Sequence, residues 1–153
     1  MWGYPTPSNP SDFNTDLIKG VTVSRDLRLA HPELSKRVKA LLESYKRMFP
    51  TRDIFLSCVY RSPEEQKRLF LSGRFGNQGS ILTNCDGFAK LSEHNRAPSR
   101  AVDFAVMDGG KVVWEEIVSY PIGNLAREVG LEWGGFWEKW QDPWHIQLPK
   151  EVS

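Results

Sequence analysis

Three histidines occur in the sequence, His31, His94 and His145. Two of them stand near carboxylates in an order that could bind a metal ion. Ser92-Glu93-His94 closes a long loop, and Asp103 follows nine residues later in a β-favouring stretch. There Ala101, Asp103 and Ala105 share one face, while Val102, Phe104 and Val106 share the other. A carboxylate between two alanines has open space around it, as a ligand requires. Further on comes Asp142-Pro143-Trp144-His145. Residues three apart on a regular strand face opposite sides, so Asp142 is expected in the turn before the strand, where Pro143 fits. Asp142 and His145 can then point into one site. Two imidazoles and one carboxylate leave a fourth position open on Zn²⁺, the arrangement of a catalytic rather than a structural site. A second carboxylate beside it could serve as general base. The residue types alone also allow plainer readings, with Asp142 a turn residue and Asp103 an ion-pair partner of Arg61 or Arg100. No His-Glu-x-x-His helix pair, Gly-x-Ser-x-Gly elbow or phosphate-cradling glycine loop is present. His31, ahead of Pro32, is assigned no role.

The elements that would position these groups follow from spacing. Leu34, Val38, Leu41, Leu42, Tyr45 and Phe49 repeat at helical intervals between Glu33 and Phe49, with Lys36, Arg37, Lys39, Lys46 and Arg47 elsewhere on the helix and Pro50 ending it. Ile54 to Tyr60 is a continuous apolar run, read as a buried strand with Arg61 at its end. Ser62-Pro63-Glu64-Glu65 is a helix start, and that helix should run to about Leu71, with Gly73 stopping it. Residues 74–91 form an irregular loop long enough to suggest function. Ala101 to Met107 is a strand turning at Asp108-Gly109-Gly110 into Lys111-Val112-Val113. Trp114 to Val129 is expected to be a helix broken near Pro121 and Gly123, with Gly130 capping it. Leu131 to Trp133 and Trp144 to Leu148 are the last two strands. The order implies an α+β fold, a small antiparallel sheet flanked by helices. Residues 1–24 are read as a lead-in segment and 25–150 as one catalytic domain.

With 153 residues the chain has the length of a single domain, and 20 basic residues against 19 acidic ones exclude a whole-protein basic field for nucleic-acid binding. Residues 1–75 carry 13 Lys+Arg against 8 Asp+Glu and the remainder 7 against 11. This asymmetry is read as a solvated surface. Cys58 and Cys85 allow at most one disulfide, and Cys58, in its apolar run, is expected to be a buried thiol. Met1-Trp2-Gly3-Tyr4-Pro5 has neither a basic nor an apolar leader region, and nowhere do 18 apolar residues run together. A cytoplasmic, monomeric chain without membrane insertion is expected.

Four stretches together resemble the zinc metallopeptidase family of D-Ala-D-Ala carboxypeptidases and phage or bacterial L-alanyl-D-glutamate endopeptidases, which shares a fold with the hedgehog signalling domain. They are Val59-Tyr60-Arg61-Ser62 with Gln66 and Leu69-Phe70-x-x-Gly73-Arg74; Ser92-x-His94 with Ala101-x-Asp103; Leu131-Glu132-Trp133-Gly134-Gly135-x-Trp137; and Asp142-x-x-His145. The similarity covers roughly residues 25–148. It implies that His94, Asp103 and His145 bind one Zn²⁺ per chain and that Asp142 activates water and protonates the leaving amine. It also implies that Arg61 holds a substrate carboxylate or oxyanion, a task suited to a forked, permanently charged guanidinium. Gln66 and Ser92 are weaker transfers, each as compatible with a surface or loop role. Among the tryptophans, read mainly as core, Trp144 is the one expected to touch substrate.

Two departures from the family pattern stand out. The step from metal His to metal Asp is nine residues, where seven is commonest, through Asn95-Arg96-Ala97-Pro98-Ser99-Arg100. Phe136 occupies a position where an acidic residue is usual, which alters substrate contacts. The resemblance implies an endolysin-type peptidase that cuts the L-alanyl-D-glutamate bond of bacterial peptidoglycan stem peptides, made in the host cytoplasm and released to the wall. The alternatives are a D-Ala-D-Ala carboxypeptidase and a zinc-stabilised, non-catalytic wall-binding module.

Overall fold

The computed structural model describes residues 9–153. Of the expected lead-in, residues 1–8 lie outside the described residues. Two short 3₁₀ turns follow at Pro10–Asp12 and Thr15–Ile18, and strand β1 (Val23–Ser24) pairs with β3 (Tyr60–Arg61). Phe13, Ile18 and Val21 pack against the core.

Helix α1 (Pro32–Met48) begins where Pro32 cannot need a donor partner, and the His31 imidazole caps it by accepting from the Glu33 N–H at 3.0 Å. Its buried stripe is Leu34, Val38, Leu41 and Tyr45. Helix α2 (Pro63–Leu71) starts at Ser62, whose hydroxyl accepts from the Glu65 N–H. The main sheet is antiparallel, in the order β2 (Arg52–Cys58), β4 (Ala101–Asp108), β7 (His145–Gln147), β6 (Glu132–Trp133), with β5 (Lys111–Val113) pairing the far end of β4. Val102, Phe104 and Val106 bury one face of β4 in the core that α1 and α3 (Tyr120–Glu128) also line. The architecture is the α+β class that the element order implied.

Two expectations need correction. The apolar run to Tyr60 is not one strand: an irregularity between Leu56 and Cys58 shifts the pairing, and Tyr60–Arg61 leaves to join β1. An extra residue in one strand bends it and re-aims the side chains beyond. Nor is Trp114 to Val129 a broken helix. A 3₁₀ turn (Glu116–Ser119) leads into α3, Pro121 sits in its first turn, where a missing N–H costs nothing, and Gly123 lies inside it. Gly123 is there because the Trp133 indole lies against the helix backbone, so a Cβ at this position would overlap the ring.

Gly123→Ala would gain about 1 kcal/mol of helix propensity. Overpacking against Trp133 costs about 1–3 kcal/mol and should win. Chemical denaturation should show a net loss of stability; a stabilised variant would mean that the indole does not seat on the helix.

Candidate metal centre

The sheet register builds the centre of the site. Cys58 on β2 pairs with Asp103 on β4, and Asp103 pairs with His145 on β7, so the three residues form one row across the sheet. Row neighbours share a face. His94 arrives from a 3₁₀ turn (Glu93–Asn95) capped by Ser92, whose own N–H donates to Asn95 Oδ1 at 2.8 Å. The long connection from His94 to Asp103 is held down by Ser99, which exchanges backbone hydrogen bonds with Leu29 and His31.

Asp103 Oδ1 lies 3.1 Å from His94 Nε2 and 2.9 Å from His145 Nδ1. The outer nitrogens define the tautomers. His94 Nδ1 is 3.0 Å from the Val59 carbonyl, which can only accept, so Nδ1 carries the proton and Nε2 is a bare lone pair. His145 Nε2 is 2.8 Å from Gln147 Oε1, and the Gln147 amide is oriented by donating its NH₂ to Glu132 Oε2 at 3.3 Å. His145 Nδ1 is then also a bare lone pair. Despite its closeness to Asp103, the wholly buried His94 Nε2 has no partner in hydrogen-bond geometry. With both rings neutral in the tautomers their outer partners favour, three lone pairs converge, and either a metal ion or a proton, such as one shared between His145 Nδ1 and Asp103 Oδ1 at 2.9 Å, must lie among them. The donor set and its outer hydrogen bonds fit a metal ion. Burial disfavours charge here, yet the Asp103 carboxylate overrides it and raises His94 above the ordinary imidazole range. Burial likewise opposes the Asp103 carboxylate, which the two imidazoles hold well below the ordinary carboxylate range. Without a metal, a proton supplies the positive charge.

Two overlapping groups, Cys58–His94–Asp103 and Asp103–Asp142–His145, hold potential ligand atoms within 4.8 Å of one another. Cys58 Sγ lies 3.7 Å from His94 Nδ1, the nitrogen already engaged by Val59, and the same distance from the Tyr60 carbonyl. It stands behind the imidazole, while the free lone pair of His94 is on the Asp103 side. Asp142 sits in the turn before β7, with Oδ1 accepting from the Trp144 N–H at 3.2 Å. Burial pushes its carboxyl upward, and the neighbouring Asp103 charge adds to this.

Asp142, His94, Asp103 and His145 line a cavity of about 560 Å³ together with Arg61 and Gln66. Arg61 Nη2 is 3.5 Å from Asp103 Oδ2, and Nη1 donates to Gln66 Oε1 at 3.0 Å. Gln66 is buried rather than solvent-facing: its NH₂ reaches Thr83 Oγ1 and the Cys85 carbonyl, tying α2 to the long loop. Ser92 lines the cavity and also caps the His94 turn.

Trp144 corrects an expectation. It is not among the cavity residues and packs instead against Phe104 and Trp114, ring centroids 5.6 and 5.4 Å away. Adjacent strand positions point to opposite faces, so a ligating His145 already turns Trp144 away. Trp137 and Trp140, assigned from sequence to the core, line the cavity, and Trp137 lies 5.1 Å from the His145 ring. They fall outside any strand and carry no periodic signal. Asn95 was also missed; it joins the His94 turn to the Arg61 carbonyl at 2.9 Å. Its signal was its place three residues after Ser92, a capping-box spacing.

No family model matches the sequence. Over 111 residues, 63% of the chain, it is 30% identical to the peptidoglycan L-alanyl-D-glutamate endopeptidase CwlK of Bacillus subtilis, and the match spans 60% of that protein's length. The fold is similar to the crystal structure of the L-Ala D-Glu endopeptidase ChiX of Serratia marcescens, with a TM-score of 0.58, 27% identity, and coverage of 80% of this chain and 83% of ChiX. In sequence and in fold, the chain is similar to these two L-alanyl-D-glutamate endopeptidases.

Proposed function

We propose that the protein is a zinc-dependent peptidoglycan peptidase that hydrolyses the L-alanyl–D-glutamate bond of stem peptides. The observation that carries this reading is the convergence of His94 Nε2, His145 Nδ1 and Asp103 Oδ1 at the wall of an open cavity, with the Asp142 carboxyl beside them. The names of both relatives supply the bond. His94, Asp103 and His145 would hold the ion, and bound Zn²⁺ supplies Lewis acidity toward the scissile carbonyl and lowers the pKa of water. Asp142 accepts a proton from the attacking water and delivers it to the leaving amine of D-glutamate as the C–N bond breaks. Arg61, braced by Gln66, presents its guanidinium to a substrate carboxylate or to the oxyanion.

Purified protein incubated with isolated peptidoglycan should release peptides beginning at D-glutamate, detected by mass spectrometry, and a chelator should abolish them. Released alanine alone would instead make it a carboxypeptidase, and no products despite bound metal would leave only a binding role.

Asp142→Ala should keep fold and metal and lower kcat by about 10²–10⁴-fold, whereas His145→Ala should lose metal and turnover together. Full activity in Asp142→Ala would remove the proposed base.

Gln147→Ala frees the His145 ring to rotate and change tautomer. Zinc affinity, measured by chelator competition, should fall by about 10–100-fold with the circular dichroism spectrum unchanged. Unchanged affinity would show that Gln147 does not hold the ligand.

A further inference from the structure

A second concavity, about 340 Å³, opens behind the segment that carries Asp142. Its lining includes Tyr120, Trp133 and Phe136, with Glu116, Asn124 and Gln141 as polar groups. Trp133 is buried and fixed by donating its indole N–H to the Pro143 carbonyl at 2.8 Å, and so forms the floor. The Tyr120 and Phe136 rings stand nearly perpendicular to it, at 77° and 89° with centroids 5.7 and 4.8 Å away. Both are nevertheless open to solvent, Tyr120 at 45% and Phe136 at 53% exposure. Two aromatic rings left exposed beside a cleft, Phe136 with the Arg127 guanidinium over its ring at 5.0 Å, mark a binding surface rather than a core.

The polar groups narrow the occupant. An apolar peptide or a lipid tail gains nothing from Glu116, Asn124 and Gln141 around the rings. A pyranose uses both kinds of surface: its C–H face packs on an aromatic ring, while hydroxyl and N-acetyl groups bond to amides and a carboxylate. The groove also neighbours the metal cavity, because Gln141, the residue before Asp142, lines both. In a peptidoglycan stem the L-alanine is joined through a lactyl group to an N-acetylated amino sugar. One residue spans about 3.5 Å, so that sugar must lie within roughly 10 Å of the cleaved bond.

We propose that the Tyr120–Phe136 groove is a saccharide subsite that takes the N-acetylmuramyl sugar carrying the stem peptide. This rests on the peptidase reading above. It gives Phe136, the position where the family pattern has an acidic residue, a role in gripping the glycan end of the substrate.

The test compares a free L-Ala-D-Glu stem peptide with the same peptide carrying N-acetylmuramic acid, both with the zinc-loaded protein. The sugar should lower KM by about 3–10-fold. Phe136→Ala and Tyr120→Ala should each erase that advantage while leaving kcat, and KM for the free peptide, unchanged; Phe136→Trp should restore it. In parallel, the uncleavable disaccharide of N-acetylglucosamine and N-acetylmuramic acid should shift the Trp133 indole N–H resonance in wild type and not in Phe136→Ala. Equal KM for both substrates with no indole shift overturns the subsite and leaves the peptidase standing. An indole shift without hydrolysis of either peptide keeps the subsite and overturns the peptidase.

Discussion

Asp103 is the point to which the rest of the structure answers. One of its carboxylate oxygens faces two imidazole nitrogens at 3.1 and 2.9 Å, and the outer hydrogen bonds of both rings turn their lone pairs toward it. Three converging acceptors in a largely dry setting are unfavourable by several kcal/mol unless a positive charge joins them. The fold must therefore force the groups together before the ion arrives. It does so through the most rigid means it has, a row of paired residues across an antiparallel sheet, with Cys58 and His145 flanking Asp103.

That rigidity is supplied from the opposite face. Val102, Phe104 and Val106 anchor β4 in the core, so Asp103 cannot withdraw without exposing apolar surface. His94 is held differently, on a short capped turn, and Asn95 and Ser99 connect that turn to the Arg61 strand and to the entrance of α1. The longer His94-to-Asp103 connection is thus tied down at several points. Arg61 and Gln66 complete the wall by coupling α2 and the long loop to the same carboxylate.

The sequence made the periodic parts legible. The stripe of Leu34, Val38, Leu41 and Tyr45, the Ser62-Pro63 helix start and the alternation around Asp103 each depend on neighbours along the chain, and each lies where spacing placed it. Features set by contacts across the fold were not legible. The shift after Leu56 depends on pairing with β4, and the buried Gln66 depends on a loop 17–19 residues away. Gly123 looks like a helix breaker until Trp133, on the strand beyond the helix, is seen to need its missing side chain. Trp144 is a different kind of miss, because strand parity already contained the answer.

The Trp-Gly-Gly and Asp-x-x-His segments look like two separate motifs along the chain, but structurally they are one. The Trp133 indole donates to the Pro143 carbonyl, and the Asp142 N–H donates to the Gly134 carbonyl at 3.1 Å. A side chain at Gly134 would overlap the Asp142 backbone, so only glycine allows the two segments this close. The depth at which Trp133 seats against α3 therefore helps set where the Asp142 carboxylate stands relative to Asp103 and His145. The aromatic residues around the site act first as a template that locates a carboxylate. The same seating leaves Tyr120 and Phe136 exposed on the far side of that segment. Core packing, base position and the aromatic groove consequently share a single indole, with Tyr120 and Phe136 on its exposed side and the Asp142 segment on its hydrogen-bonded side.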